Sequence, residues 1–323
     1  MTTPVSDAEW LWQPACASSE ALREQVHTLA PFNHPLLVVG ERGTGKSHLA
    51  REIHRIWSPG KRFVHGSAPA ISETLEHDIL YGHVKGAFTG ADYDRIGLVE
   101  QASGGILFLD EIGLARPSLQ QQLLTLMDGT VTFRRLGDVR EITVQMRLIA
   151  ATNEDLMAAV SESRFRQDLL DRFGWFVIEI PPLRQRRAEI LPLAEAFFVQ
   201  AGALLGRPPV RLTAEARALF RNGSWPGNLR HLREACKLLT CLAARRASDA
   251  PLRLQDLPAG ICERSTPLAR PARGPVTPQM VLAALDLHGG NVSRAAASIR
   301  CDRRQVQRIL KKSRMEATLR LNE

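Results

Sequence analysis

The sequence predicts an α/β fold, a parallel sheet flanked by helices, followed by an all-helical domain and a basic helical C-terminus. Three observations predict it. Apolar runs alternate with amphipathic stretches from about residue 35 to 180, the pattern of parallel strands joined by helical crossovers. Pro181-Pro182 ends that pattern, and the apolar spacing is helical from about 188 to 246. The formal charge of +8 lies at one end: residues 264–323 hold twelve Arg or Lys against four Asp or Glu, and the remainder balances.

Each element follows from its local pattern. PLLVVG (35–40), GGILFLD (104–110), VQMRLIAAT (144–152) and WFVIEI (175–180) are apolar runs and are predicted as buried strands. Amphipathic stretches near 47–57, 117–128 and 155–172 are predicted as helices. Ile190, Leu193, Ala194 and Phe197, then Leu229, Leu232, Ala235, Leu238 and Leu239, recur at helical spacing and predict a small helical domain. Residues 263–278 (ERSTPLARPARGPVTP) are rich in Pro, Arg, Ser and Thr and read as a linker. Two or three helices follow it, broken at His288-Gly289-Gly290-Asn291. The predicted organisation is an N-terminal extension (1–20), an α/β domain (21–182), a helical domain (183–262), a linker (263–277) and a C-terminal domain (278–323).

Composition narrows the function classes. With 44% apolar residues among 323, the chain can bury cores for two or three domains. No run of 18 or more apolar residues exists, and MTTPVSDAEWLW is not a signal peptide. A cytoplasmic protein without membrane insertion is expected. Cys16, Cys236, Cys241, Cys262 and Cys301 lack the paired spacing of a zinc site and read as reduced thiols. A basic terminal segment suits a nucleic-acid backbone, because each Lys or Arg displaces a condensed counterion.

The chemistry is carried by two motifs. GERGTGKS (40–47) follows an apolar strand and precedes a helix, the context of a P-loop. Gly40, Gly43, Thr44 and Gly45 would turn backbone N–H groups around phosphate oxygens. Lys46 would reach the β- and γ-phosphates and Ser47 would ligate Mg²⁺. GGILFLDE (104–111) ends a strand on two carboxylates: Asp110 for the Mg²⁺ shell and Glu111 to orient the attacking water. Thr152 and Asn153, ending the RLIAATN strand, are placed to sense the γ-phosphate. No Asn/Thr-Lys-x-Asp pattern for guanine occurs, which favours ATP. A third stretch, YGHVKGAFTGADYDR (81–95), sets Phe88 at the tip of a loop between glycines, where its own neighbours cannot bury it.

GERGTGKS, YGHVKGAFTGADYDR, GGILFLDEIG, RLIAATNEDL, FRQDLLDRF, PPLRQRRAEI and WPGNLRHLRE occur in this order along 40–234. Together they resemble the AAA+ ATPase domain of the bacterial enhancer-binding proteins, activators of sigma-54 RNA polymerase. HTLAPFNHPLLVVGERGTGK (27–46) is particularly like the phage-shock-operon branch, whose layout the single-domain activators of virulence secretion systems share. The resemblance implies that Gly86, Ala87, Phe88, Thr89, Gly90 and Ala91 form the loop that engages sigma-54, supported by RRLGDVRE (134–141). It implies that Arg166 and Arg172 reach the neighbouring subunit's ATP, so the working form is a ring, by resemblance a hexamer, with a lower oligomer when inactive. Arg230 matches the helical-domain arginine that reports bound nucleotide. HGGNVSRAAASIRCDRRQVQRILKKS (288–313) looks like the family's helix-turn-helix. There Arg303, Arg304, Gln305, Gln307 and Arg308 would face upstream enhancer DNA, with Lys311 and Lys312 on phosphates.

Departures from the family pattern are local. Ser47 stands where Glu is usual. Ser67 stands where an Asn usually restrains the water-orienting glutamate, and Arg300 replaces a Gly in the helix-turn-helix turn. About twenty residues precede the ATPase domain here, so control by a separate inhibitory protein is expected. The sequence therefore points to an ATP-driven activator of sigma-54 holoenzyme. The alternative is a DNA-binding regulator of the same ancestry that uses ATP as an allosteric ligand, whose expected mark is a degraded GAFTGA. A ring ATPase acting on DNA itself leaves that loop and the helix-turn-helix unexplained.

Overall fold

The computed structural model describes residues 17–246 and 250–263, with Val281. The chain divides into two compact units, Met1–Ser265 and Thr266–Glu323. Apart from Glu263 and Val281, the predicted linker and helix-turn-helix lie outside the described residues, with Arg303, Arg304, Gln305, Gln307, Arg308, Lys311 and Lys312.

The first unit opens with helix α1 (Ala17–Leu29), which starts inside the stretch predicted as an extension. Strand β1 (Leu36–Val39), helix α2 (Lys46–Trp57), β2 (Phe63–Ser67) and α3 (Glu76–Tyr81) follow. A hairpin of β3 (Gly82–His83) and β4 (Arg95–Ile96) leads to α4 (Leu98–Gln101) and β5 (Ile106–Asp110). Next come α5 (Pro117–Leu126), a second hairpin of β6 (Thr130–Phe133) and β7 (Ile142–Gln145), and β8 (Arg147–Thr152). Helices α6 (Leu156–Ser161) and α7 (Gln167–Phe173) and strand β9 (Val177–Glu179) complete the α/β part. Helices α8 (Arg187–Leu204), α9 (Ala214–Asn222) and α10 (Asn228–Ala244) form the lid.

Five parallel strands make the central sheet in the order β2-β5-β8-β1-β9. Both faces are covered, so alternate residues enter two cores. Leu37, Leu107, Leu109, Leu148 and Ala150 face one, and Leu36, Val38, Phe108, Ile149 and Ala151 the other. Every residue of β8 is buried. The lid has its own core, built around Trp225, whose Nε1 donates to the Phe220 carbonyl (2.8 Å). Arg147, 1% exposed, secures the end of α1 and the chain after it by donating to the carbonyls of Leu29, Ala30 and His34. Burial pushes its pKa down to about 10.

Three sequence expectations change. The helix predicted over 155–172 is two helices, because Ser163 takes a left-handed φ of 57° and turns the chain between them. The strand predicted over 144–152 is divided between a hairpin and the central sheet. Strand β2 is absent from the predicted set: it is an edge strand of mixed burial, without the continuous apolar run that marks its neighbours.

Candidate functional site

The parallel sheet delivers the ends of β1, β5 and β8 to one edge, the usual place for a ligand in such folds. Gly45 takes a φ of 106° and leads into α2, whose first turn has no side-chain cap. The His48 N–H donates back to the Gly45 carbonyl (3.0 Å), so an anion here would meet the N–H groups of Lys46 and Ser47. Lys46 is 8% exposed, and its ammonium donates to the carbonyls of Gly40 (2.8 Å) and Glu41 (3.1 Å). Burial lowers its pKa, with Asp110 and Glu111 opposing. Thr44 is buried and bonds the Glu41 carbonyl (2.9 Å), fixing the loop from within.

Ser47 Oγ donates to Asp110 Oδ2 (3.3 Å), and the Glu111 N–H donates to Asp110 Oδ1 (2.9 Å). Glu111 has a φ of 57°, a strained conformation for a side chain of its size. A cavity of about 310 Å³ is lined by Gly43, Gly45, Lys46, Ser47, Asp110, Glu111, Asn153 and Arg230. Arg42, Gln200 and Arg233 line it too, without having been singled out in the sequence, with Phe197 and Leu229, which had been read there only as apolar helix positions. Arg233 Nε is buried at that wall without a hydrogen-bond partner. Excess positive charge, an orphaned donor and two hard oxygen ligands in contact fit a polyphosphate with Mg²⁺.

Gly40 and Thr44 hold the loop beneath this cavity and are not among its lining residues. Thr152 is fully buried; its hydroxyl accepts from the Glu154 N–H (2.9 Å) and packs against Gly113, so Asn153 faces the cavity and Thr152 does not. Ser67 pairs in register with Asp110, and among the described residues no hydrogen bond joins it to Glu111. Arg166 and Arg172 sit away from this cavity at the two ends of α7, exposed, and paired with Asp168 and Asp128 of the same chain.

The lid is clasped to the P-loop. Asn228, fully buried with a φ of 52°, donates to the Arg42 carbonyl (3.0 Å) and to Glu41 Oε2 (3.1 Å), and accepts from the Leu183 N–H (2.7 Å). Arg184 grips Glu41 with two bonds (2.6 and 2.8 Å) and holds its carboxyl below the usual range. The Leu229 N–H donates to the Gly43 carbonyl (2.9 Å). This network sets Arg230, the next residue, at the wall of the cavity. Sequence reasoning missed the clasp, although Asn228 lies within a quoted motif.

Loop 86–91 rises from the β3–β4 hairpin. Gly86 and Gly90 have φ values of 84° and 95° with open space where a Cβ would stand. Phe88 is 41% exposed and leans edge-on against the His83 ring, centroids 5.0 Å apart. Asp78 pins that ring and accepts from Arg95 (2.8 Å), tying α3 to both stem strands. Ala91 is buried at the base and Thr89 exposed at the tip. Residues 134–141 pack alongside: the Val84 N–H donates to the Leu136 carbonyl (3.0 Å), and a Cβ on Gly137 would meet Ala87 at 2.8 Å. Phe88 and Val139 are exposed on these two loops, and Tyr93 on the chain that returns from the first to β4.

Comparison with known proteins agrees with this geometry. The chain matches the Sigma-54 interaction domain over residues 14–179 and the AAA+ ATPase lid domain over 184–273. It is similar to the Nif-specific regulatory protein of Herbaspirillum seropedicae, 44% identical across 66% of this chain and 40% of that one. It is similar to the Psp operon transcriptional activator of Escherichia coli K12, 41% identical across 71% of this chain and 70% of that one. The chain thus spans 40% to 70% of the length of these relatives. Among solved structures it resembles NtrX from Brucella abortus in complex with ATP, with a TM-score of 0.68 and 31% identity over 92% of this chain and 68% of that one.

Proposed function

The chain belongs to the sigma-54-dependent transcriptional activators, the bacterial enhancer-binding proteins, and from that premise we propose that it hydrolyses ATP in a ring and uses loop 86–91 to remodel the closed promoter complex of sigma-54 RNA polymerase. The observation that carries this reading is the convergence of Lys46, Ser47, Asp110, Glu111, Asn153 and Arg230 on one cavity.

Lys46 trades its two carbonyl partners for phosphate oxygens when ATP enters. Ser47 and Asp110 would hold Mg²⁺, which when bound would supply positive charge against the phosphates. Glu111 orients water, and its strained backbone lets a small shift at the γ-phosphate move the turn that follows it. Arg166 and Arg172 leave their own Asp partners for the neighbour's ATP; both pairs are exposed, and exchanging an exposed pair costs little. The resting form is then a lower oligomer and the active form a hexamer. The same reading assigns upstream DNA binding to the basic C-terminus, in the cytoplasm where polymerase works, and control to a separate inhibitory protein.

Phe88 carries the output. An exposed aromatic on two glycine hinges is an interface anchor that can be presented or laid back against His83. The test is open-complex formation by sigma-54 holoenzyme on a premelted promoter, wild type against Phe88→Ala. Activation lost with ATP hydrolysis retained is expected. Loss of both together would sink the loop's assignment, and hydrolysis without activation by the wild type would favour a regulator that uses ATP only as a ligand.

A further inference from the structure

Gln120 is 1% exposed on α5, and its side-chain amide is fully engaged. Nε2 donates to the carbonyls of Ala115 and Arg164, both at 2.8 Å, and Oε1 accepts from the Arg166 N–H at 2.8 Å. Two carbonyls and one N–H admit a single orientation of the amide, since its two donors sit on one atom. These partners are not neighbours in sequence.

Ala115 closes the turn that begins at Glu111: the Leu114 N–H donates to the Glu111 carbonyl (3.0 Å) and the Ala115 N–H to that of Ile112 (2.9 Å). Arg164–Arg166 is the corner between α6 and α7, shaped by left-handed Ser163 and buried Phe165. One buried side chain thus joins the turn leaving the hydrolytic glutamate to the backbone that projects Arg166. A satisfied buried amide is rigid, because any slip leaves a donor or acceptor unpaired. The turn after Glu111 and the Arg166 corner are therefore held in one fixed relation.

We propose that Gln120 is a positioning residue that fixes the arginine each subunit offers its neighbour against that subunit's own Glu111 turn. The proposal rests on the reading of Arg166 as an arginine acting in trans. Gln120 is not among the residues that line the candidate ATP cavity. It acts through Arg166, and its removal should lower kcat by on the order of 10²-fold while ATP affinity stays unchanged.

Subunit mixing tests it. Lys46→Ala subunits cannot use ATP but can offer Arg166; Arg166→Ala subunits are the reverse. The mixture should regain ATPase activity that neither has alone. Adding Gln120→Leu to the Lys46→Ala subunits should abolish that recovery, and adding it to the Arg166→Ala subunits should spare it. Recovery that is lost in both arrangements, or in neither, overturns the proposal as a general packing effect. No recovery in the parent mixture overturns the trans reading of Arg166, and the proposal with it. Thermal unfolding and fluorescent-nucleotide titration check each variant. Where Gln120→Leu does not fold, Gln120→Glu, of the same shape but without the two donors, replaces it with the same asymmetry expected.

Discussion

Lys46 and His231 show burial outweighing the groups that oppose it at single side chains. Burial lowers the pKa of Lys46, Asp110 and Glu111 act against that shift, and its ammonium donates to the carbonyls of Gly40 and Glu41. His231 has less support. It stands edge-on to Trp225 with ring centroids 5.0 Å apart, and its Nδ1 is buried without a partner. Burial lowers its pKa from 6.5, with the Ile261 backbone and Glu263 opposing. The folded pKa lies below the unfolded one, so the unfolded chain binds the proton more readily. The stability contributed is present above about pH 6.5 and is lost as pH falls through the folded pKa. The thermal midpoint should therefore drop between about pH 7 and pH 5, and His231→Gln should flatten that slope. An equal slope in the variant would assign the acid sensitivity to other groups.

At the scale of elements, the decisive contact is the clasp between the P-loop and the start of α10. Gly43 has a φ of 77°, and a Cβ there would lie 2.3 Å from the Gly227 carbonyl oxygen. Gly60 has nearly the same φ, 78°, with nothing within 4 Å of its Cβ position. The two glycines separate backbone strain from lid displacement. Gly43→Ala should weaken ATP binding by at least about tenfold, or about 1.4 kcal/mol, whereas Gly60→Ala should cost fold stability and leave ATP affinity alone. Equal affinities in nucleotide titrations would remove the clasp from the site. Gly43, Gly45, Lys46 and Ser47, which line the cavity, were legible in the sequence because the chemistry expected of a P-loop fixes their spacing along one loop. Asn228 was not, since its tie to Glu41 spans 187 residues and no local pattern records it. Gln120 was hidden for the same reason. The break after α6 was missed because one left-handed serine interrupts a spacing that otherwise reads as one helix.

At the scale of the whole molecule, charge and chemistry are segregated along the chain. Residues 1–263 are balanced in formal charge, and the excess of +8 lies in the last sixty. The boundary between the two compact units, after Ser265, falls at that same place. A neutral ATPase unit has no general attraction for DNA, so DNA affinity is expected to reside in the basic segment alone. Its strength should fall steeply with salt, because each neutralised phosphate contributes about −0.9 to the slope of log K against log salt. Removing residues 264–323 should abolish DNA binding while ATP hydrolysis persists at high protein concentration. Filter binding across a salt series, with ATPase assays on the same preparations, measures both. If hydrolysis falls as well and returns when protein concentration is raised, the C-terminus contributes to assembly as well as to DNA. DNA binding that survives the deletion would refute the assignment, because it would require contacts on a surface whose charges cancel.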